Sequence, residues 1–571
     1  MDPTSNKTPA DASPAQLSSP PPHQRIKEIQ RAPRSPPSPL NTSTFSSTDS
    51  GQSLPIPDET GRLPATFYAG IPSRPKLLAS TRPAAQLAHL ESDYGIIPKR
   101  IYPISPRHKI CALWEATIVP HIADLISALY PTGTVCLDLV EIGHTEEDAI
   151  ATIWIGLRAG AISYETAARM AEATKEFCMG KGAGQFEVDV RDTSVQKLTK
   201  LLDPGSILPD LHKHADPWCH TLGTPISTAK YPNAIGTGGL MVRLPNQAKL
   251  FMLTAHHVVE LDHPSRLEPT QEDKRTLVRL QTPASFKKIQ EELGKQIAVQ
   301  TTFVNGIKDA IDRAELSGRD PTFLRQKLDR TEVPLNDLID WSKRLNTNFS
   351  DTDQRTFGQT YAYPPIAYDV ATGNSDHDRA NNFSEDWCLI ETDIELGTEP
   401  INVLNFGDIG ELLFAKRRPD RLPALSVEME LSQMLKINGF LSQADLATKS
   451  IAVIKRGFGT ELTLGMTNCV HSYWRHDTAW SKELAIINLH DNGERGMDSK
   501  AFSAHGDSGA TVIDRQGRIC GLLHAGCLAG EKVVQGPDGS KLRAPMDITY
   551  VTPWWWLKGR MRDFGLEPTV V

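Results

Sequence analysis

Long apolar runs are missing from this chain of 571 residues. No stretch approaches the roughly 20 apolar residues that a bilayer-crossing helix needs. The opening Met1-Asp2-Pro3-Thr4-Ser5 lacks the basic flank and apolar stretch of a signal peptide. Basic excess is missing too: 61 Lys and Arg against 69 Asp and Glu leave a net charge of −8, which disfavours nucleic acid or an anionic membrane as partner. Cysteine is sparse. The eight residues, at 111, 136, 178, 219, 388, 469, 520 and 527, form no Cys-x-x-Cys pair and no disulfide framework. These absences lead us to expect an intracellular protein, cytoplasmic or nuclear, with reduced thiols.

What is present falls into blocks. Residues 1–61 hold twelve prolines among many Ser and Thr and few large apolar residues, and are expected to be a disordered tail. Residues 62–205 read as a small α+β domain. It has helices over Ile118–Tyr130 and Tyr164–Phe177, and strands over Val135–Ile142, Ala149–Leu157 and Phe186–Val190. Residues 206–232 read as a Pro- and His-rich linker. Its His212, His214, Cys219 and His220 match no common zinc spacing, so no metal and no other cofactor is expected.

From 233 to 565 the pattern is β-rich. A hairpin is expected over 233–259, and short strands with turn signals resume after 356 and continue to a helix opened by Pro553. Between them, 266–347 reads as a helical insertion, with helical spacing over Leu277–Ile297 and Phe303–Leu345.

Three segments carry chemistry. In chain order they are Thr254-Ala255-His256-His257, Glu385-Asp386-Trp387-Cys388-Leu389-Ile390 and His505-Gly506-Asp507-Ser508-Gly509-Ala510. A serine hydroxyl is a weak nucleophile at neutral pH and needs an imidazole to take its proton. The imidazole needs a buried carboxylate to fix its tautomer. The developing oxyanion needs fixed donors, and the turn around Ser508 offers the N–H groups of Gly506 and Ser508. Together the segments supply a nucleophile, Ser508, a base, His257, and an orienting acid, Asp386.

These motifs resemble those of chymotrypsin-like (trypsin-like) serine peptidases. Thr254-Ala255-His256-His257 resembles their Thr-Ala-Ala-His segment, Asp386-Trp387-Cys388-Leu389-Ile390 their Asp-x-Ala-Leu-Leu segment, and Gly506-Asp507-Ser508-Gly509 their nucleophile motif. Cys520 to Gly526 looks like the strand that lines their cleft, and Lys455-Arg456-Gly457 through Gly465 is similar to a stretch of bacterial and intracellular members. The whole chain resembles a group of fungal proteins with an N-terminal module ahead of such a domain.

The resemblance implies two six-stranded β-barrels, with His257 and Asp386 from the first and Ser508 from the second. It also implies a substrate site at Phe502, His524, Ala525 and Gly526. Phe502 stands where members that cut after Lys or Arg carry an acid, so an apolar or small residue before the cut is expected. In members activated by cleavage the Asp507 position pairs with a freed amino terminus; the sequence names no partner for it here. His256 is expected to point away from His257, by strand alternation.

The expected activity is hydrolysis of peptide bonds in a protein or peptide substrate through an acyl-enzyme, with no nucleic-acid or membrane partner. A catalytically silent pseudo-peptidase used for binding is the alternative. An α/β-hydrolase fits less well, because it runs in the order Ser, Asp, His and ends its motif in Gly where this chain has Ala510. A third version has the N-terminal domain as a pro-segment released by self-cleavage between 203 and 232.

Overall fold

The computed structural model describes residues 67–87, 91–92, 95–197, 200–201, 222–261, 275–370, 382–394, 401–405, 434–489, 501–529, 533–535, 541–543 and 545–571. The tail read over 1–61 and the His/Cys cluster at 212–220 lie outside them. All the described residues belong to one compact unit, Leu54–Val571. The fold within it is multidomain and mostly β: an α+β module, a half-barrel sheet carrying a helical hairpin, and a closed six-stranded antiparallel barrel.

In the module, strands Leu77–Ser80, Glu187–Asp192, Ile150–Leu157 and Val135–Gly143 lie side by side, the middle pair parallel. Helix Tyr164–Gly180 starts at Ser163, whose hydroxyl accepts the Thr166 N–H. Helix Val119–Leu129 ends just before Pro131, where proline forbids continuation. Contrary to the sequence expectation that no run approaches bilayer-crossing length, the stretch Lys109–Leu129 is, among the described residues, long and apolar enough by composition to do so. Its Ile110, Trp114, Ile118, Ile122 and Ile126 are buried in the core formed with Leu137, Ile153 and Val188 of the sheet.

The module does not end at its own sheet. Val135, Cys136 and Leu137 pair with Arg475, Trp474 and Tyr473 in strand Ser472–His476, so one sheet runs from the module into the closed barrel. A buried ionic cluster lies beside that junction. Arg191 reaches Asp138 at 3.3 Å and Asp547 at 3.7 Å, and Asp547 also accepts the Ser73 N–H at 2.7 Å.

The half-barrel sheet runs in the order Met241–Arg243, Leu250–Thr254, Cys388–Thr392, Thr356–Ala362, Leu277–Leu280, Thr224–Thr228 and Ala234–Gly238. Two readings from sequence need correction here. Thr224–Thr228, assigned to the linker, is a strand paired on both sides. Leu277–Leu280, assigned to the helical insertion, is also a strand. Its four residues are too few to tell a strand from the start of a helix by spacing alone. The first inserted helix begins at Pro283, with Thr282 and Ser285 forming a capping box and proline at the first helical position. It runs to Leu316, and Thr322–Phe349 returns along it.

The closed barrel is the ring Ala452–Gly457, Glu461–Thr467, Ala479–Asn488, Ile548–Pro553, Ile519–Leu528 and Thr511–Asp514, returning to the first. Ile519–Leu528 is buried at all ten positions. Strands covered on both faces lose the usual alternation of apolar and polar residues. Helix Trp554–Asp563 adds Trp554, Trp556 and Leu557 to a core shared by strands of both sheets, with Phe251 and Leu389 from one and Ile454 and Leu522 from the other.

Candidate active site

His257 follows strand Leu250–Thr254. The strand ends at Thr254, and from Ala255 the chain turns into a single helical turn, His256–Val259. The alternation expected for His256 therefore does not apply: both histidines sit on one helical turn, and the His256 ring packs on Tyr363, 4.7 Å between centroids. Asp386 lies between strands Phe383–Glu385 and Cys388–Thr392, and the latter pairs directly with Leu250–Thr254. That pairing brings residues 129 apart in sequence into contact. The Asp386 carboxylate accepts the His257 backbone N–H through Oδ1, at 3.1 Å, and lies 2.7 Å from His257 Nδ1 through Oδ2.

Ser508 comes from the closed barrel, in the loop ahead of strand Thr511–Asp514. Its Oγ is 2.8 Å from His257 Nε2 and 3.1 Å from the His524 carbonyl oxygen. Asp386 accepts a hydrogen bond from the Nδ1–H, which leaves Nε2 as the acceptor for the Ser508 hydroxyl. That is the tautomer a general base needs. All three side chains are sealed from solvent: Ser508 is 0% exposed, and His257 and Asp386 are 2% each.

Burial pushes the His257 pKa below the ordinary imidazole value; Asp386 opposes the shift, and Lys197 and His524 reinforce it. Burial works to raise the Asp386 pKa, but His257, Lys197 and His524 outweigh it and hold the carboxyl well below its usual range. The outcome is a neutral imidazole beside a charged carboxylate.

The loop carrying Ser508 is held from both sides. Gly506 and Gly509 have φ of +106° and +89°, backbone regions that favour glycine. The Thr237 N–H donates to the Ser508 carbonyl at 2.8 Å, and the Thr237 hydroxyl donates to the Gly506 carbonyl at 2.7 Å. One threonine of the half-barrel thus fixes two carbonyls of the nucleophile loop. Sequence reading placed Thr237 only within the hairpin expected over 233–259.

Asp507 points the other way. It forms an ion pair with Lys455 at 3.3 Å, both side chains 0% exposed. It also accepts N–H bonds from Gly459 (2.7 Å), Thr460 (3.1 Å) and Ala504 (2.9 Å), and the Thr460 hydroxyl at 2.8 Å. Burial lowers the Lys455 pKa and Asp507 raises it in return.

The remaining residues expected at the substrate site are distributed as follows. His524, Ala525 and Gly526 lie consecutively on the buried strand that leads away from Ser508. The His524 ring is 2.9 Å from Glu483, which in turn accepts the Trp474 N–H at 2.9 Å and a bond from Ser384. Phe502 is buried in the core of the closed barrel with Ala510, Leu523 and Met546. A Cβ on Gly526 would fall 2.7 Å from Met546 Cγ, so the Met546 side chain lies against that glycine. Met546, Lys455 and Glu483 were not singled out from sequence as site residues, and no short-range signal marks them.

Among the described residues no group of three or more His, Cys, Asp or Glu is placed to hold a metal ion. No known protein family matches the chain, and no curated protein is significantly similar to it.

Proposed function

We propose that the chain is a serine endopeptidase that cleaves a protein or peptide substrate through an acyl-enzyme. The observation that carries the proposal is the unbroken hydrogen-bond line Asp386–His257–Ser508, at 2.7 and 2.8 Å, with the carboxylate on Nδ1 and the hydroxyl on Nε2. Ser508 attacks the carbonyl carbon and His257 takes the hydroxyl proton. Asp386 holds the ring and balances the imidazolium, and His257 then delivers the proton to the leaving amine. Water repeats the cycle on the ester. The N–H groups of Gly506 and Ser508 serve the oxyanion.

The reading also supplies a fold. Ala234–Gly238 pairs with Thr224–Thr228, and Met241–Arg243, just beyond Gly239-Leu240, pairs with Leu250–Thr254. Taken as one bent strand, these two segments join the two ends of the half-barrel order and would make a second six-stranded barrel of the chymotrypsin-like kind. Seven described cysteines are free thiols, which supports an intracellular, reducing setting. Met546 against Gly526 supports a small or apolar residue before the cut.

A fluorophosphonate probe tests the reading. Wild type should be labelled, and Ser508→Ala and His257→Ala should not. Absence of labelling in folded wild type would turn the assignment toward the catalytically silent binding protein.

A further inference from the structure

The chain passes its own candidate active site. Strand Ser194–Lys197 pairs antiparallel with Leu528–Ala525 of the strand that leads away from Ser508, in the register Ser194 with Leu528, Val195 with Cys527, Gln196 with Gly526 and Lys197 with Ala525. His524, next on that strand, is the residue whose carbonyl lies 3.1 Å from Ser508 Oγ. Immediately afterwards Lys200–Leu201 pairs antiparallel with Ile235–Ala234 of the half-barrel. Two residues further on, Thr237 donates its N–H to the Ser508 carbonyl. The chain therefore enters beside one neighbour of the nucleophile and leaves beside the other. Only Leu198 and Thr199 connect the two strands, and three peptide steps span at most about 10 Å.

Extended segments that add a strand to a sheet edge are held by main-chain bonds and read out by side-chain pockets. The direction here is set on both sides. Lys197 Nζ is 3.8 Å from Asp386 Oδ2, and the ammonium lowers the His257 pKa, so this side chain sits against the His257–Asp386 pair. Upstream, the segment cannot drift. The Thr193 hydroxyl donates to the Leu528 carbonyl at 3.0 Å, and Arg191 is locked to Asp138 and Asp547. The complete burial of Ser508 fits a nucleophile served from within the chain rather than from solvent.

We infer that the segment Ser194–Leu201 is the enzyme's own substrate, cut in cis between Lys197 and Lys200. The inference rests on the peptidase reading above. Of the three peptide bonds between Lys197 and Lys200, Leu198–Thr199 is the one with an apolar residue before it, and the cut is placed there. Ser508 Oγ bonds to the Leu198 carbonyl carbon while its proton passes to His257. The Leu198–Thr199 C–N bond breaks, and His257 returns the proton to the Thr199 nitrogen. Water then adds to the ester, releasing Ser508 and leaving a carboxylate on Leu198. Leucine before the cut is the apolar residue that Met546 and Gly526 suit. The self-cleavage window expected from sequence, 203–232, is thereby moved upstream.

Intact-mass spectrometry and amino-terminal sequencing of the full chain, beside fluorophosphonate labelling, test this. Wild type should yield two pieces with a new amino terminus at Thr199, while Ser508→Ala stays whole, including when mixed with wild type. Leu198→Asp should slow the cut at least about tenfold. Wild type that labels with the probe yet stays whole would overturn self-cleavage and leave the peptidase standing. Cutting of Ser508→Ala by added wild type would overturn the in-cis presentation. Folded wild type that neither labels nor cuts would overturn both readings.

Discussion

Lys455 places its ammonium 3.3 Å from the Asp507 carboxylate inside the closed barrel, one residue before the nucleophile, with neither side chain reaching solvent. On the peptidase reading proposed above, the matching position in members activated by cleavage would meet a freed amino terminus. Here a lysine from strand Ala452–Gly457 supplies the cation. The loop that carries Ser508 is thus charge-balanced without any cut upstream. Lys455→Met should leave an uncompensated buried carboxylate and cost about 3–5 kcal/mol. Thermal unfolding should show the loss, and probe labelling of whatever remains folded should fall at least tenfold.

A second expectation concerns pH. His257 must be neutral to accept the Ser508 proton, and its folded pKa lies below the usual 6.5. Labelling should therefore persist below pH 6.5 and fail only at lower pH. The stability sign follows. Between the two values the unfolded state binds the extra proton, so the contribution of His257 is fully present above 6.5 and is lost as pH falls through the folded value. Three neighbouring groups act on the ring: Asp386 raises its pKa, and Lys197 and His524 lower it. Lys197→Met should move the acid limb of the labelling profile to higher pH. An unmoved limb would show that Lys197 does not act on His257.

A third test uses geometry alone. Gly509 has φ of +89°, and a Cβ there would run into the Thr237 carbonyl oxygen and the Thr254 hydroxyl. Those two atoms are hydrogen-bonded to each other at 2.8 Å, on the half-barrel side of the loop that carries Ser508. Gly509→Ala should be destabilised by about 1–3 kcal/mol from backbone strain alone. Circular dichroism melting should place it below wild type, whereas Gly294→Ala, in open space on the inserted helix, should not fall.

A fourth concerns the residue before the cut. Met546 lies against Gly526 and is buried at 1% exposure. Met546→Ala should shift hydrolysis from peptides with a small or leucine residue before the cut toward those with phenylalanine or tyrosine. Its stability cost should be about 2–5 kcal/mol. A kcat/KM panel over single-residue peptide variants reads the change.

The three candidate site residues were more legible in the sequence than their setting. His257, Asp386 and Ser508 each sit in short runs whose residue types have few other uses in that order, and the structure brings the three within hydrogen-bond reach. The supporting residues carried no such mark. Lys455 and Asp507 are 52 positions apart, Lys197 and Asp386 are 189 apart, and a lone lysine looks the same in sequence whether it meets solvent or a buried carboxylate. Leu277–Leu280 was misread because four residues hold less than two helical turns of periodicity and abut a true helix. For His256 the reasoning by alternation failed because the strand ends at Thr254; its ring packs on Tyr363 while His257 faces Asp386 and Ser508.

The sheet that runs from Val135–Gly143 into Ser472–His476 decides what any break between Lys197 and Lys200 does to the molecule. The two polypeptides would remain partners, held by that shared sheet and the Arg191 cluster. A sizing column would report one species where a denaturing gel reports two. Refolding, however, would change order. The whole chain folds at a rate independent of its concentration, while the nicked one must first find its other half, so its recovery after denaturation depends on dilution. A single hydrolysed bond would turn a reversible folder into a bimolecular one.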